Sequence, residues 1–145
     1  MIVLDTDHVS VLKYQGSPAS IRLSERLAAA EDKDIRVAIV TIEEQTRGWL
    51  AEINRHRHVH QQLTAYESLL VMFDFFSRFR RLPFDLPAAD EFERQRKQKV
   101  RIGSMDLKIA CIALVHDALL LSANRRDFRL VAGLRLENWL DERKG

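Results

Sequence analysis

The sequence predicts an α/β protein in which a central parallel sheet of four to five short strands is covered by helices on both faces. Short apolar segments typical of buried strands alternate along the chain with longer segments of helical periodicity. This alternation favours a three-layer arrangement with a parallel sheet in the middle. The length of 145 residues suits one domain with a sizeable core, so we expect a single domain over residues 1–145.

The first half of the chain predicts two buried strands, each followed by a helix with a polar residue at its start. Asp7 is the expected N-cap of the first helix. Thr41, followed by Glu44 three residues later, matches a capping box and predicts the start of the third helix. In chain order we expect a strand at 2–4, a helix at 8–13, a helix from Ser17 or Pro18 to about Ala30, a strand at 35–40 and a helix from Thr41 through Ile53.

The second half predicts a long aromatic helix, then a helix–strand unit and a final strand. Phe73, Phe76 and Phe79 recur at helical spacing, which is more typical of a core or a dimer face than of a base-stacking surface. Pro83 restricts the strand around it to the edge of a sheet. In chain order we expect a helix at 60–80, an edge strand at 81–85, a helix from Pro87 to about Val100, a helix starting at Asp106, a strand at 118–121 and a last strand at 134–139.

The composition is that of a globular protein, with 46% hydrophobic and 30% charged residues. No apolar run approaches the roughly 20 residues of a membrane span. The apolar segment at the N-terminus is too short for a signal peptide, because the acidic Asp5 follows after four residues. The single Cys111 cannot form an internal disulfide and sits in an apolar helical pattern, which indicates a core residue. We therefore expect a cytoplasmic protein without a membrane segment.

Four acidic residues occur at comparable places near the carboxyl ends of the predicted strands. Asp5 ends the first strand, and Glu44 is expected in the first turn of the helix that follows the second strand. Asp106 starts a helix, and Asp127 follows the strand at 118–121. Because the carboxyl ends of parallel strands lie at one edge of a sheet, we expect these four side chains to converge.

Gathered carboxylates repel one another and raise each other's pKa. A hard divalent cation relieves this repulsion, and oxygen ligands favour Mg²⁺ or Mn²⁺ over zinc. One or two such ions can polarise a phosphodiester and lower the pKa of an attacking water. The four acids therefore indicate a metal site for phosphodiester chemistry, with acids that merely cap helices as the alternative interpretation.

Two further motifs compete with this interpretation. Asp5 and Asp7 form an Asp-x-Asp after an apolar strand, as in aspartyl-phosphate phosphatases, but Val9 stands where that family expects Thr. His56 and His60 would share one helix face, as zinc ligands can, yet no Glu or Cys completes a zinc set. Since arginines are interleaved with these histidines, a solvated patch facing RNA is the favoured interpretation of that segment.

Arginine and lysine residues cluster around two of the four acids. The net charge is only +2, so gathering four acids in one pocket leaves the remaining surface more basic. Arginine suits phosphate because its planar fork binds two oxygens at once, although the group on the helix before Asp106 also fits an ordinary solvated face. The basic clusters are Arg78, Arg80 and Arg81; Arg94, Arg96, Lys97, Lys99 and Arg101; and Arg125, Arg126 and Arg129.

With these residues assembled, nearly the whole chain resembles a PIN-domain ribonuclease, specifically the VapC-type toxin of a bacterial toxin–antitoxin pair. Residues 1–6 resemble the opening strand with its first acid. Thr41, Glu44 and Gly48 match the family's Thr-x-x-Glu-Leu-x-x-Gly signature, in a register that selects Glu44 over Glu43. Residues 103–110 resemble the third-acid motif, and residues 122–139 resemble the closing segment, which is the most specific part of the match.

The resemblance implies a PIN-like α/β/α fold and an enzyme that cleaves RNA, often tRNA, with Mg²⁺ or Mn²⁺. It implies Asp5 and Asp106 as direct metal ligands, with Glu44 and Asp127 completing the pocket. It also implies a homodimer silenced by a cognate VapB-type antitoxin. The residues expected to orient the acids are Thr6, Ser122 and Asn124, and those expected to contact RNA are Arg101, Arg125 and Arg126.

The chain departs from the family pattern at three places without losing an expected acid. Asp7 stands where Asn is usual, so it either adds a fifth acid or caps the first helix. Gln45 replaces an apolar residue after Glu44, and Ser122–Ala123 replaces a Thr-Asn pair. We therefore expect an active metal-dependent endoribonuclease, with a non-catalytic PIN-type module that binds RNA or protein as the main alternative and the phosphatase as a lesser one.

Overall fold

Five short parallel strands form the centre of the protein. A computed structural model describes residues 1–141. In chain order the strands are β1 (Ile2–Leu4), β2 (Ile35–Ala38), β3 (Arg80–Leu82), β4 (Leu119–Leu121) and β5 (Arg135–Glu137). They form one sheet in the order β3-β2-β1-β4-β5, in which all neighbouring pairs are parallel. The predicted α/β class with a parallel sheet of up to five strands is confirmed.

Helices cover both faces of this sheet. They are α1 (Thr6–Lys13), α2 (Pro18–Ala29), α3 (Ile39–Arg55), α4 (Leu63–Ser77), α5 (Leu86–Lys97), α6 (Ser104–Val115) and the short α7 (Arg125–Phe128), with a 3₁₀ turn at Val59–Gln62. Within residues 1–141, no helix combines the length and the apolarity needed to cross a bilayer.

Two cores lie on opposite faces of the sheet, because successive side chains of a strand point to opposite sides. In β1, Val3 packs in one core, whereas Ile2 and Leu4 pack in the other. In β4, Leu120 joins the first core and Leu121 the second. This alternation produces the three-layer α/β/α arrangement.

Helix α6 is apolar nearly all round and forms the centre of the first core. Its residues from Ile109 to Ala113 are all fully buried, including Cys111. Burial raises the pKa of the Cys111 thiol to about 12, so this thiol is unreactive at neutral pH. The interpretation of Cys111 as a core residue is confirmed.

The two predicted helix caps are wrong. Helix α1 begins one residue after Asp5, so Asp7 lies in its first turn. Helix α3 begins at Ile39, which places Thr41 inside the helix and Glu44 in its second turn. The reason is that β2 finds strand partners only over Ile35–Ala38, since β1 and β3 are three residues long. The buried Thr41 hydroxyl has no hydrogen-bond partner within residues 1–141, so it caps nothing.

The predicted helix at 60–80 is also wrong at both ends. Helix α4 begins only at Leu63, after the 3₁₀ turn, where Gln62 donates its side-chain amide to the carbonyls of Ile53 (3.1 Å) and His56 (2.8 Å) at the end of α3. His56 is extended, so it does not share a helix face with His60. At the other end, Arg80 already belongs to β3, which lies at the sheet edge as expected and ends just before Pro83.

We expect Leu120→Ala to lower the free energy of unfolding by about 3 kcal/mol, because it leaves a cavity at a fully buried position of β4. The measurement is urea denaturation followed by circular dichroism. Leu130→Ala removes a side chain that is 52% exposed and serves as the matched control, with an expected change within about 0.5 kcal/mol. Equal losses in the two variants would contradict the assignment of the core.

Candidate active site

The candidate site lies where the carboxyl ends of β1 and β4 meet. The parallel register pairs Leu4 with Leu121, so Asp5 and Ser122 are the first residues beyond two neighbouring strands. The backbone N–H of Asp5 donates to the carbonyl of Leu121 at 2.9 Å, which continues the ladder by one step. Strands β2 and β3 lie on one side of β1, and β4 and β5 on the other. Open α/β sheets bind their ligands at such a reversal of strand order.

Asp5 is a nearly buried carboxylate, with only 5% of its surface exposed. Burial raises its pKa to about 6, and the neighbouring charges of Asp7 and Asp106 act in the same direction. Hydrogen bonds from the Ser122 hydroxyl (2.7 Å) and from the backbone N–H of Thr6 oppose this rise. The chain therefore holds this acid in a position that is costly to ionise without a cation.

Asp106 and Asp127 are joined through the side-chain amide of Asn124. Its Nδ2 donates to Asp106 Oδ2 (3.3 Å) and to Asp127 Oδ2 (3.2 Å), while its Oδ1 accepts from the backbone N–H of Asp127 and caps α7. Burial raises the pKa of Asp106, and the charges of Glu44, Asp127 and Asp7 raise it further, against the Asn124 hydrogen bond.

Glu44 reaches the same edge of the sheet from α3. The hydroxyl of Thr6, the residue directly after Asp5, donates to Glu44 Oε2 at 2.8 Å. The charge of Glu44 acts on Asp106, whose charge in turn acts on Asp5. The four predicted acids therefore meet at one edge of the sheet, linked through Thr6, Ser122 and Asn124.

The four acids are neighbours, but their side chains are not close enough together to coordinate one metal ion as they stand. In the part of the chain from 1 to 141, no three His, Cys, Asp or Glu side chains are grouped closely enough to hold a metal ion as they stand. Their chemistry nevertheless fits a hard divalent cation, because carboxylate oxygens crowded enough to raise each other's pKa are the donors that Mg²⁺ and Mn²⁺ prefer. Their roles as ligands stay a prediction.

Asp7 neither caps α1 nor stands as a free fifth acid. Its Oδ2 accepts the backbone N–H of Ala123 (2.8 Å), and its Oδ1 accepts from Nδ1 of His8 (2.5 Å). Burial by itself would raise the pKa of Asp7, but the hydrogen bonds from His8 and Ala123 bring it below its ordinary value. The single proton of the Ser122 hydroxyl goes to Asp5 at 2.7 Å, since Asp7 is farther away at 3.3 Å.

His8 is a fully buried part of the site that the sequence did not reveal. Its Nε2 accepts the backbone N–H of Trp139 at 3.1 Å, so this nitrogen carries no proton and Nδ1–H donates to Asp7. The imidazole is thus neutral, and it ties the segment after β5 to the ends of β1 and β4. The only sequence signal for this role is the adjacent pair of Asp7 and His8. Such Asp-His pairs also occur in solvated turns, so the pair by itself does not indicate a buried site.

Two of the basic residues before Asp106 are bound to other groups of the chain. Arg94 pairs with Glu91, and Arg96 donates to the carbonyls of Val100 (2.9 Å) and Ile102 (3.0 Å), so both are engaged within the chain. These contacts fit the alternative given for this group, an ordinary helix face, and not phosphate binding by Arg94 or Arg96. Arg96 instead shapes the loop that leads into α6.

The three arginines expected to contact RNA are all exposed. Arg125 and Arg126 are the first two residues of α7 and immediately precede Asp127. Arg125 comes within 3.9 Å of Asp141, and Arg101 lies in the loop before α6. Arg125 and Arg126 thus lie next to Asp127 in the chain, and Arg101 lies in the loop before the helix that carries Asp106. Their contacts with phosphate stay a prediction.

We expect Asp5→Asn to stabilise the metal-free protein by about 2 kcal/mol near pH 7.5. The pKa of Asp5 is about 6 in the fold against 3.8 for an unperturbed Asp, so the native state loses stability as pH rises between these values. The stabilisation should disappear near pH 4, where the parent carboxyl is protonated in the fold. Urea denaturation in EDTA at both pH values measures this, with the exposed Asp90→Asn as control. A stabilisation equal at both pH values would contradict the explanation.

Similarity to known proteins extends over nearly the whole chain. The family model for the PIN domain matches residues 2–134, and no curated protein matches the chain. Among solved structures, VapBC-1 from nontypeable Haemophilus influenzae is similar with a TM-score of 0.70 and 22% identity, over 97% of this chain and 100% of the other.

Two more structures show the same fold. VapBC2 from Rickettsia felis, bound to a DNA fragment from its promoter, has a TM-score of 0.66 and 22% identity over 96% of this chain and 99% of the other. A toxin–antitoxin complex from Klebsiella pneumoniae has a TM-score of 0.58 and 16% identity over 96% and 98%. The sheet order, the convergent acids and the match over most of its length agree: the chain belongs to the PIN domain family.

Proposed function

We propose that this protein is a metal-dependent endoribonuclease that hydrolyses phosphodiester bonds in RNA, with tRNA as the expected substrate. The observation that carries the proposal is the buried Asp5 beside Asp106, each with its pKa raised by burial and by the other acids, at the reversal of strand order. A site so costly to ionise is suited to binding a cation.

The carboxylates of Asp5 and Asp106 would hold Mg²⁺ or Mn²⁺, with Glu44 and Asp127 completing the pocket directly or through water. When bound, the ion supplies Lewis acidity toward phosphate and lowers the pKa of an attacking water. Thr6, Ser122 and Asn124 keep the acids in place by hydrogen bonds. The exposed Arg101, Arg125 and Arg126 bind neighbouring phosphates of the RNA.

We further propose that the protein is the VapC-type toxin of a toxin–antitoxin pair, held silent in the cytoplasm by a VapB-type antitoxin. The similar structures include one described as a toxin–antitoxin complex. Helix α4 carries a row of exposed apolar side chains that supports a protein partner: Leu63, Tyr66, Leu70 and Phe73 are 51–72% exposed. A homodimer, also expected from the family, would cover further apolar surface.

Two alternatives are less well supported. An aspartyl-phosphate phosphatase needs its second acid to carry a proton, but both oxygens of Asp7 accept hydrogen bonds and its pKa is lowered. A non-catalytic module that only binds RNA or protein gains nothing from keeping Asp5 buried and crowded by other acids. Such a module would bind RNA with an affinity indifferent to divalent metal.

We expect Asp5→Asn and Asp106→Asn each to lower Mn²⁺-dependent cleavage of RNA by at least about a hundredfold, because each removes a carboxylate from the metal pocket. Cleavage is measured on unfractionated tRNA by gel electrophoresis, with Asp90→Asn as the matched control at an exposed position. Equal activity in the parent and both variants would reject the assignment.

We also expect Mn²⁺ to raise the melting temperature of the parent but not that of Asp5→Asn, because only a native state with an intact site gains from binding. This thermal-shift measurement reports metal binding separately from catalysis. A melting temperature of the parent that does not respond to millimolar Mn²⁺ or Mg²⁺ would argue against a metal site and in favour of the binding module.

A further inference from the structure

A groove of about 540 Å³ leads away from the candidate active site between α3 and α4. It begins at Glu44 and runs along α3 to His56 near the carboxyl end of that helix. Glu44, Gly48 and Glu52 follow one another at intervals of four residues, so they lie along one face of α3. The groove is therefore continuous with the acidic pocket.

Gly48 lies in the floor of this groove, in the interior of the 17-residue helix α3. Glycine is among the least favourable residues in a helix interior. Its φ is not positive, and a Cβ placed there would meet no atom within 4 Å. Neither the backbone nor internal packing calls for glycine at this position. The missing side chain leaves the space above this part of α3 open.

Between the acids Glu44 and Glu52, the groove is lined by neutral polar groups and one aromatic ring. Gln45, Gln61 and Thr64 line it, together with the partly buried Trp49. Gln45 Oε1 accepts from Lys13 Nζ at 3.0 Å, which leaves the Gln45 amide N–H groups to donate into the groove. Side-chain amides, hydroxyls and an aromatic ring are the groups that recognise unstacked bases and ribose hydroxyls.

Basic residues lie beyond the far end of the groove. Arg55 and His56 both bind Glu52, which offsets the one acid in this part of the groove. Beyond them Arg57, His58 and His60 are exposed, and Arg57 has no ion-pair partner within residues 1–141. The exposed guanidinium of Arg57, at the tip of the α3–α4 hairpin, suits a phosphate group.

We propose that the α3–α4 groove is the subsite for a single-stranded RNA segment adjacent to the cleaved phosphate. A base and its ribose occupy the floor at Gly48, and a phosphate further along the strand reaches Arg57. The amide, hydroxyl and aromatic groups of the lining, with the exposed Arg57 beyond its far end, suit RNA. An apolar peptide helix would leave these polar groups without hydrogen-bond partners. The inference rests on the proposed nuclease function, which it deepens by placing the substrate.

Gly48→Gln tests the floor of the groove. The new side chain fills the open space above α3, while glutamine favours the helix more than glycine does, so the melting temperature should rise by about 2 °C. The KM for Mn²⁺-dependent cleavage of a labelled mixed-sequence RNA of about 12 nucleotides should rise at least about tenfold, with a smaller effect on kcat. Ala28→Gln, at an exposed position of α2 outside the groove, is the control and should leave KM unchanged.

Arg57→Ala tests the basic end by salt dependence. Fluorescence anisotropy of the same RNA, measured in the cleavage-deficient Asp106→Asn background, gives the Kd at several KCl concentrations. Loss of one phosphate contact should reduce the slope of log Kd against log salt by about 0.7. Arg22→Ala, at an exposed position of α2, is the control and should preserve the slope.

The possible outcomes distinguish a failure of the RNA subsite from a failure of the nuclease assignment. A parent that neither binds nor cleaves the RNA would overturn both. An active parent with unchanged KM in a more stable Gly48→Gln variant would overturn the subsite and leave the nuclease intact. A raised KM in Gly48→Gln and a reduced salt slope in Arg57→Ala, with both controls unchanged, would establish the groove as the path of the substrate, whereas an unchanged slope in Arg57→Ala would remove Arg57 from it.

Discussion

The structure depends on holding the carboxylate of Asp5 in a nearly buried position at the end of its central strand. Burial and the neighbouring charges disfavour the ionised form of this group and raise its pKa to about 6. The parallel register of β1 and β4 makes the arrangement possible, because it sets Ser122 beside Asp5 and supplies a hydroxyl donor at 2.7 Å. A fold that sacrifices stability in this way at one sheet edge is typical of a functional site.

Neutral donors, and not cations, organise the acids around Asp5. Thr6, Ser122 and Asn124 each bind at least one carboxylate, so the acids are oriented while their negative charges stay largely uncompensated. Arginines in the same places would have formed ion pairs and removed the attraction for a metal. The neutral His8 follows the same logic, because it joins Asp7 to the segment after β5 without adding charge.

The early start of α3 connects the acidic pocket with the groove. Since β2 ends at Ala38 for want of longer strand partners, the helix begins at Ile39 and Glu44 falls in its second turn. Glu44 then heads a row of side chains that includes the open position Gly48.

The sequence by itself determined the alternation of strands and helices, the parallel sheet and the four acids at its carboxyl edge, because these follow from local periodicity and from the geometry of parallel strands. Tertiary structure decided the contacts between distant segments. Trp139 reaches His8 across 131 positions, Gln62 donates to the carbonyl of His56 at the end of α3, and Arg96 turns inward to loop carbonyls. Such hydrogen bonds depend on which polar groups the folded chain brings within about 3 Å of each other, and no local pattern encodes that choice. Asp5 and Asp106 could therefore be named from the sequence, whereas the groups that hold them could be named only in part.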